Sequence, residues 1–314
     1  MLSSMTSFTE LAGCRLPLQL AGMGGPVSDV ALACAVADAG GVGMLGAAGF
    51  PPEALVAMLD ECSSVTSGPV GANFLMPFVH PDSVRAVSTS GRLVEFFYGD
   101  PDPELVALVH EGGATCGWQV GSLDEALAAM RAGCDYVVVQ GAEAGGHVRG
   151  TSHLAGVLEA AVRAVDVPIV AAGGIGTASD VVRVLEAGAS AVRVGTRFVA
   201  ALESSAHPEY VAALVSSGAG DTVLTETFSN GWPNAPHRVL RACVDAANAA
   251  ADDVVGSETL LGAEFPVPRF GTRPPMVATT GNIAAMAHYA GTSVGAVRTR
   301  QPAAEIVAEL CARV

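Results

Sequence analysis

One histidine, His147, closes a glycine-rich stretch that reads Gln140-Gly-Ala-Glu-Ala-Gly-Gly-His147. A neutral imidazole can take a proton from a carbon acid, and a charged imidazolium can hold an anion. The stretch follows an apolar run that is typical of a buried strand, and side chains at the carboxyl ends of parallel strands face active sites. We therefore predict that His147 is a catalytic residue. Glu143, inside the stretch, could orient the imidazole or simply be solvated.

Two glycine-bearing turns, Gly173–Gly174 and Gly195–Thr196, follow the seventh and eighth apolar runs of the chain. Because glycine has no Cβ, backbone N–H groups at such turns can approach phosphate oxygens closely. Arg193 and Arg197 are near in sequence, and either could form a structural ion pair instead. The two turns predict a phosphate site at the ends of the last two strands.

Two amide side chains sit where strands are expected to end, Asn73 in Gly-Ala-Asn-Phe and Gln140 after Val-Val-Val. Each amide can donate and accept hydrogen bonds together, as the edge of a flavin ring requires. The turn Gly22-Met-Gly-Gly25 resembles a dinucleotide-binding turn, but Val27 occupies the third glycine position and no acidic residue follows the next strand. We expect the backbone of Ala21, Gly22 and Met23 to lie against the ring instead.

The elements that must position these residues alternate regularly along the chain. Apolar runs predict strands at residues 17–23, 42–46, 69–75, 93–98, 114–119, 135–140, 168–172 and 190–194. Alanine-rich stretches predict helices near residues 28–39, 53–61, 82–89, 103–111, 122–132, 153–165, 177–187 and 204–216. Parallel strands joined by crossover helices follow from this alternation, and eight units are the count of an α/β (β/α)8 TIM barrel.

The alternation stops near residue 218, which divides the chain into three predicted parts. Residues 1–218 form the barrel, and residues 219–291 form a small, mainly helical lid with helices near 238–251 and 281–290. Residues 292–314 are expected to pack back on the barrel through a final helix.

Bulk composition excludes several classes of protein. A net charge of -15 argues against binding nucleic acid, whose phosphates need a basic surface. No apolar run reaches the 18 or so residues of a membrane span. The seven cysteines form no Cys-x-x-Cys pair, so neither a disulfide framework nor a zinc site is expected, and we predict a cytoplasmic protein with no metal.

With these residues in view, the sequence resembles the nitronate monooxygenases, a family of FMN-binding TIM barrels also called 2-nitropropane dioxygenases. The most specific matching motif is VVVQGAEAGGH, which contains Gln140 and His147. The other matching motifs, in chain order, are LAGMGG, GGVGMLGAAGF, GANF, PIVAAGGIG, VGTRFVAALES and, more weakly, YAGTSVGAVR with PAAEIVAEL. One departure is Gly22, where the family commonly has proline.

The resemblance implies non-covalent FMN and a small-molecule substrate. The residues it places at the cofactor are Asn73, Gln140, Gly145, Gly174, Arg193, Val194, Gly195 and Thr196. His147 matches the family's catalytic base, which would deprotonate a nitroalkane or, when protonated, bind a nitronate. The implied reaction oxidises the nitronate with O2 to a carbonyl compound and nitrite.

Three other functions stay open at this point. The Ala-Gly-Gly-His element also occurs in related FMN-dependent enoyl-ACP reductases, and NAD(P)H:quinone reductases have similar sequences. Either of these would add NAD(P)H as a partner. A barrel that binds a phosphorylated ligand without catalysis is the non-enzymatic alternative. The residues do not decide whether the chain forms a homo-oligomer.

Overall fold

The computed structural model describes residues 5–260 and 262–314, and a parallel barrel is its largest feature. The barrel strands are β1 (Leu18–Leu20), β2 (Gly43–Gly46), β3 (Val70–Leu75), β4 (Leu93–Phe97), β5 (Thr115–Val120), β6 (Tyr136–Gln140), β8 (Ile169–Ala172) and β9 (Ala191–Val194). The remaining strands are β7 (Gly146–His147), β10 (Thr222–Thr225), β11 (His237–Leu240), β12 (Val254–Leu260), β13 (Ala263–Pro268) and β14 (Thr280–Gly281).

The eight barrel strands run in the order β1-β9-β8-β6-β5-β4-β3-β2, and every pairing between them is parallel. A parallel bridge between Gln19 and Val42 joins the two end strands and closes the barrel. Nearly every strand residue is buried, as expected for strands covered by helices outside and side chains inside. The predicted (β/α)8 barrel is confirmed, with all eight strands within a few residues of their expected positions.

Helices alternate with these strands. They are α1 (Ser7–Ala12), α2 (Val30–Asp38), α3 (Pro52–Val65), α4 (Pro81–Ser90), α5 (Pro103–Glu111), α6 (Leu123–Arg131), α7 (Leu154–Val162), α8 (Ala178–Glu186), α9 (Thr196–Val199), α10 (Pro208–Val215), α11 (Arg241–Ala249) and α12 (Ala303–Leu310). Side chains cap several N-termini: Asp29, Ser122 and Thr177 each accept a hydrogen bond from the third backbone N–H of their helix. No helix within residues 5–260 and 262–314 is long and apolar enough to cross a membrane.

The expectation that residues 219–291 are mainly helical is wrong. Among the described residues of this segment only α11 and short 3₁₀ turns are helical, while β11 pairs with both β10 and β7, and β12 pairs with β13 and β14. The expected helix at 281–290 is a single 3₁₀ turn, Ile283–Ala285. The β12–β13 hairpin carries Val, Thr and Phe, which suit a pleated surface, and Gly262 has the positive φ (80°) that a tight turn needs.

Three hydrophobic clusters hold these parts together. The largest fills and surrounds the barrel and includes Ala303, Ile306, Val307 and Leu310 of α12, which packs on α2, α8 and α9. A second joins the barrel to the later segment through Val27, Val199, Leu240 and Met276, and a third lies within residues 223–289. The later segment therefore rests on the carboxyl ends of the strands. The division into three domains at residues 218 and 291 stays a prediction.

Candidate active site

A cavity of about 520 Å³ opens at the carboxyl ends of the barrel strands. Every residue predicted from the sequence to bind or catalyse lines it: Ala21, Gly22, Met23, Asn73, Gln140, Gly145, His147, Gly173, Gly174, Arg193, Val194, Gly195 and Thr196. The later segment contributes Trp232, Thr272, Arg273, Pro274 and Tyr289 to the same wall. The barrel thus brings residues from the ends of five of its strands, β1, β3, β6, β8 and β9, into one space, as its geometry requires.

The two glycine turns have backbone conformations suited to holding an anion. Gly173 and Gly174 have φ values of 108° and 69°, a region that favours glycine. The backbone N–H groups of Gly174, Gly195 and Thr196 donate to no acceptor within the described part of the chain. A buried N–H group is rarely left without a partner, so a ligand with acceptor oxygens fits these turns.

The two arginines near these turns form ion pairs rather than pointing free cations at a phosphate. Arg197 donates to the Gly176 carbonyl at 2.7 Å and pairs with Glu309. Arg193 is buried, pairs with Glu95, and donates to Gln19 at 2.9 Å. Both guanidinium groups therefore form structural ion pairs, while Arg193 also lines the cavity and its place at the cofactor stays a prediction.

A buried polar network surrounds Arg193 inside the barrel. Its guanidinium donates to Gln119 at 2.6 Å, while Glu95 accepts from the Tyr136 hydroxyl at 2.6 Å. Burial and the nearby Glu95 carboxylate raise the pKa of Tyr136 well above its usual value, so the phenol remains a donor. No sequence motif predicts this network, and its one visible signal is Glu95, a charged residue inside the apolar run Leu-Val-Glu-Phe-Phe.

Each amide side chain at the strand ends donates one hydrogen bond within the protein. Asn73 donates to Glu95 at 3.3 Å, and Gln140 donates to the His147 carbonyl at 3.1 Å. The Gln140 Oε1 atom is buried without a hydrogen-bond partner in the described residues. An unpaired buried acceptor is costly, and a ligand with an N–H edge would satisfy it.

Gly22 lies where a side chain has no room. A Cβ added there would stand 2.5 Å from the Asn73 Cβ and 3.3 Å from the Leu45 carbonyl oxygen. Ala21 donates its N–H to the Val194 carbonyl at 2.9 Å, which fixes the strand end beside this turn. Proline, common at this position in the family, would therefore require Asn73 to move in this chain.

His147 lies in β7, whose residues pair with β11 so that His147 stands opposite His237. Its Nε2 atom is buried without a partner in the described residues. Burial, with a smaller effect from His237, lowers the pKa of His147 from 6.5 to about 3. The imidazole is therefore neutral near pH 7, in the state that accepts a proton.

Glu143 does not orient this imidazole. Its carboxylate accepts from the Leu154 backbone N–H at 3.0 Å and contacts Nδ1 of His153 at 2.9 Å. It therefore caps the N-terminus of α7, where a negative charge is favourable. The question left open by the sequence is answered in favour of a structural role.

Aromatic side chains surround His147, although none of them is near it in the sequence. The indole of Trp232 stacks on the imidazole, with ring centroids 3.9 Å apart and planes 23° from parallel. Tyr98, which follows β4 with a φ of 67°, meets the imidazole edge at 5.8 Å, and Tyr289 lies at 5.6 Å. These partners are 49 to 142 positions from His147, so only the fold brings them together.

Unpaired N–H groups at two glycine turns, an unpaired amide acceptor and a buried neutral imidazole define the mouth of a barrel enzyme, with groups that fit a phosphorylated cofactor. The sequence profile of the nitronate monooxygenases matches residues 5–87 and 80–313. The chain therefore belongs to the nitronate monooxygenase family and is a flavin-dependent oxidoreductase.

Curated relatives have more than one activity in their names. One relative is a (3aS,4S,5R,7aS)-5-hydroxy-7a-methyl-1-oxo-octahydro-1H-indene-4-carboxyl-CoA dehydrogenase of Mycobacterium tuberculosis. The chain is 34% identical to it over 240 residues, and the alignment covers 75% of this chain and 66% of the relative. The aligned region is thus just under two thirds of that relative's length. A nitronate monooxygenase of Paraburkholderia phytofirmans is 28% identical over 353 residues, covering 96% of this chain and 92% of the relative.

Solved structures agree on the fold over nearly the whole chain. FabK from Thermotoga maritima superposes with a TM-score of 0.82 and 28% identity, covering 98% of this chain and 94% of FabK. A nitroalkane oxidase from Streptomyces ansochromogenes superposes with a TM-score of 0.78 and 28% identity, covering 98% and 97%. Both matches include the segment over the barrel mouth.

Proposed function

We propose that the chain binds FMN and oxidises nitroalkanes or their nitronates with O2 to carbonyl compounds and nitrite, with His147 as the base. The observation that carries this proposal is a buried, neutral imidazole without a hydrogen-bond partner on the wall of a cavity beside two glycine turns. Similarity to the nitroalkane oxidase and to the curated nitronate monooxygenase supports the substrate class.

The residues present fit FMN. The unpaired N–H groups of Gly174, Gly195 and Thr196 would hold its phosphate, and the Gln140 Oε1 atom would accept from its ring. The backbone of residues 21–23 would lie along the ring, with Gly145, Gly173, Asn73, Arg193 and Val194 completing the cofactor's surroundings. When bound, FMN supplies two-electron oxidation and reaction with O2.

His147 would act as a general base rather than as a fixed positive charge. Its lowered pKa leaves the ring neutral, so it can take the α-proton of a neutral nitroalkane. The two arginines on the cavity wall already have carboxylate partners, since Arg193 pairs with Glu95 and Arg273 pairs with Glu258 at 2.5 Å. The cavity therefore suits an uncharged substrate that becomes an anion within it.

A second candidate function is a dehydrogenase or reductase that uses NAD(P)H and a CoA-linked or carrier-linked substrate. The 34% identity to the carboxyl-CoA dehydrogenase and the superposition on FabK favour it. Anaerobic mixing of the FMN-loaded protein with NADH or with ethyl nitronate separates the two. Bleaching of the flavin by the nitronate alone supports the proposed function, whereas rapid bleaching by NADH supports the second candidate.

His147→Asn tests the base directly. We expect this variant to bind FMN as the wild type does and to lose turnover of nitroethane by about a hundredfold or more, because general base catalysis contributes that much. Absorption spectra measure FMN binding, and oxygen consumption measures turnover. His153→Asn, at an exposed histidine outside the cavity, is the matched control and should retain activity. Unchanged turnover in His147→Asn would refute the assignment.

A further inference from the structure

His147 lacks the hydrogen bond that usually orients a catalytic imidazole. In most such sites the second ring nitrogen bonds to a carboxylate or carbonyl, which fixes the tautomer and the ring plane. Neither ring nitrogen of His147 has a hydrogen-bond partner in the described part of the chain. His237, the nearest imidazole, is itself occupied: one nitrogen lies 2.8 Å from the Ala235 carbonyl and the other accepts from the Phe228 N–H. Packing must therefore hold the ring.

The packing partner is Trp232. Its indole covers one face of the imidazole at a centroid distance of 3.9 Å, and the tryptophan is only 8% exposed. Phe78 and Tyr98 meet the indole edge-on at 5.2 Å and 4.8 Å, with interplanar angles of 85° and 75°. The indole is thus wedged between side chains from two barrel loops, and it can transmit their rigidity to His147.

The same contact has an electrostatic consequence once His147 gains a proton. The titratable groups in ring contact with the imidazole are His237 from β11, Tyr98 after β4 and Tyr289 of the later segment, and none of them carries a negative charge near neutral pH. The Glu226 carboxylate acts on Tyr98 and His237 rather than on His147. Within the described residues, the histidines that pair with carboxylates are His80, His110 and His153, and His147 forms no such pair. The negative face of the Trp232 indole, stacked at a centroid distance of 3.9 Å, is therefore placed to stabilise an imidazolium.

We propose that Trp232 is a positioning residue that fixes the His147 ring and stabilises the imidazolium formed when His147 deprotonates a neutral nitroalkane. This inference rests on the proposed function. In the step, the Cα–H bond breaks, its electron pair stays on the substrate as the nitronate, and the proton moves to a ring nitrogen of His147. A substrate supplied as the nitronate skips this step and does not need the indole.

The test is a series of fluorinated tryptophans, which withdraw charge from the indole face at nearly constant size. With each added fluorine, kcat/KM of the FMN-loaded enzyme for nitroethane should fall. The most fluorinated enzyme should have a kcat/KM about tenfold lower than the unlabelled enzyme. For ethyl nitronate, kcat/KM should change by less than about twofold, because no proton is removed. A merely structural role of Trp232 would move both values together.

The chain offers its own control, because Trp118 is the only other tryptophan. In Trp232→Phe, the same fluorinated amino acids label Trp118 alone, and kcat/KM should show no trend. Trp232→Leu removes the stack and should again lower turnover of nitroethane much more than that of the nitronate. Phe265→Leu, which removes an exposed ring from β13 outside the cavity, should leave both values unchanged.

A second measurement follows proton transfer without net turnover. In sealed anaerobic samples in D2O, proton NMR records exchange of the α-protons of nitroethane, and the exchange rate should fall in the same order of fluorination. Nitroethane turnover and exchange that do not depend on fluorination would overturn the role of Trp232 and leave the proposed function standing. A wild type that turns over neither nitro compound would refute both.

Discussion

Gly22 and Gly24 stand two residues apart in one turn, and the surroundings of a side chain added at each differ sharply. A Cβ at position 22 would stand 2.5 Å from the Asn73 Cβ, whereas a Cβ at position 24 meets nothing within 4 Å. Neither glycine has a positive φ, so space rather than backbone conformation separates them. The pair isolates the contribution of close packing beneath the cofactor.

We expect Gly22→Ala to weaken FMN binding by about tenfold, because Asn73 or the turn must move to admit the methyl group. Titration of the apoprotein with FMN, followed by flavin fluorescence, measures the dissociation constant. Gly24→Ala is the matched comparison in the same turn and should bind FMN more tightly than Gly22→Ala does, because its Cβ meets no protein atom within 4 Å. Equal FMN affinities of the wild type and the two variants would show that the turn accommodates the methyl group at position 22 without weakening FMN binding.

Single residues could be predicted where a local pattern carried the information. His147, the glycine turns and the two amides each follow an apolar run, so their place at the barrel mouth follows from the strand that precedes them. Trp232 and Tyr98 follow no such rule, since their role depends on contacts between distant segments. Glu95 shows an intermediate case, because its position in an apolar run signals a buried charge without naming Arg193 as its partner.

Helix α7 offers a substitution that should stabilise the fold without altering the cavity. Gly156 lies within this helix, is exposed, and a Cβ there would meet nothing within 4 Å. Gly156→Ala should therefore raise the free energy of unfolding by about 0.5–1 kcal/mol, through the higher helix propensity of alanine. Urea denaturation measures the change.

The matched control for Gly156→Ala is Gly188→Ala, just after α8. Gly188 has a φ of 102°, and a Cβ there would stand 2.7 Å from a Val162 methyl group. This second alanine should destabilise the protein, because both backbone strain and a clash oppose it. Two substitutions of the same chemistry should thus have opposite signs, and equal effects would contradict the argument.

Elements with long periodic patterns were predictable, and elements defined by their partners were not. The eight barrel strands and their helices recur with regular spacing, so their type follows from the sequence. Strand β7 has only two residues and exists because β11 pairs with it. The β12–β13 hairpin is likewise defined by pairing, and its exposed residues give no strong alternation of burial.

The network around Arg193 and Glu95 connects the molecule as a whole, because its side chains come from β1, β3, β4, β5, β6 and β9. Glu95→Gln would leave the buried guanidinium without a counterion, and breaking such a pair costs about 3–5 kcal/mol. Urea unfolding followed by circular dichroism measures this loss. Glu111→Gln, at the exposed end of α5, should have little effect. A small change in the free energy of unfolding in Glu95→Gln would show that this ion pair contributes little to the stability of the barrel.

Buried histidines give the whole protein a pH dependence of stability. Burial lowers the pKa of His147 to about 3 and of His288 to about 4, from 6.5 in each case, and it also lowers the pKa of His237. Below about pH 6.5 the unfolded chain binds protons at these positions while the folded chain does not, so acid favours unfolding. Each group can contribute at most about 1.4 kcal/mol per pH unit in this window.

The free energy of unfolding should therefore fall as pH decreases from about 7 to about 5, where the carboxylates remain largely ionised. Urea unfolding at several pH values gives the slope. His288→Gln removes one of the three groups and should flatten the curve, since one fewer proton is then taken up on unfolding. A wild-type curve without slope in this window would mean that these imidazoles reach water in the folded protein.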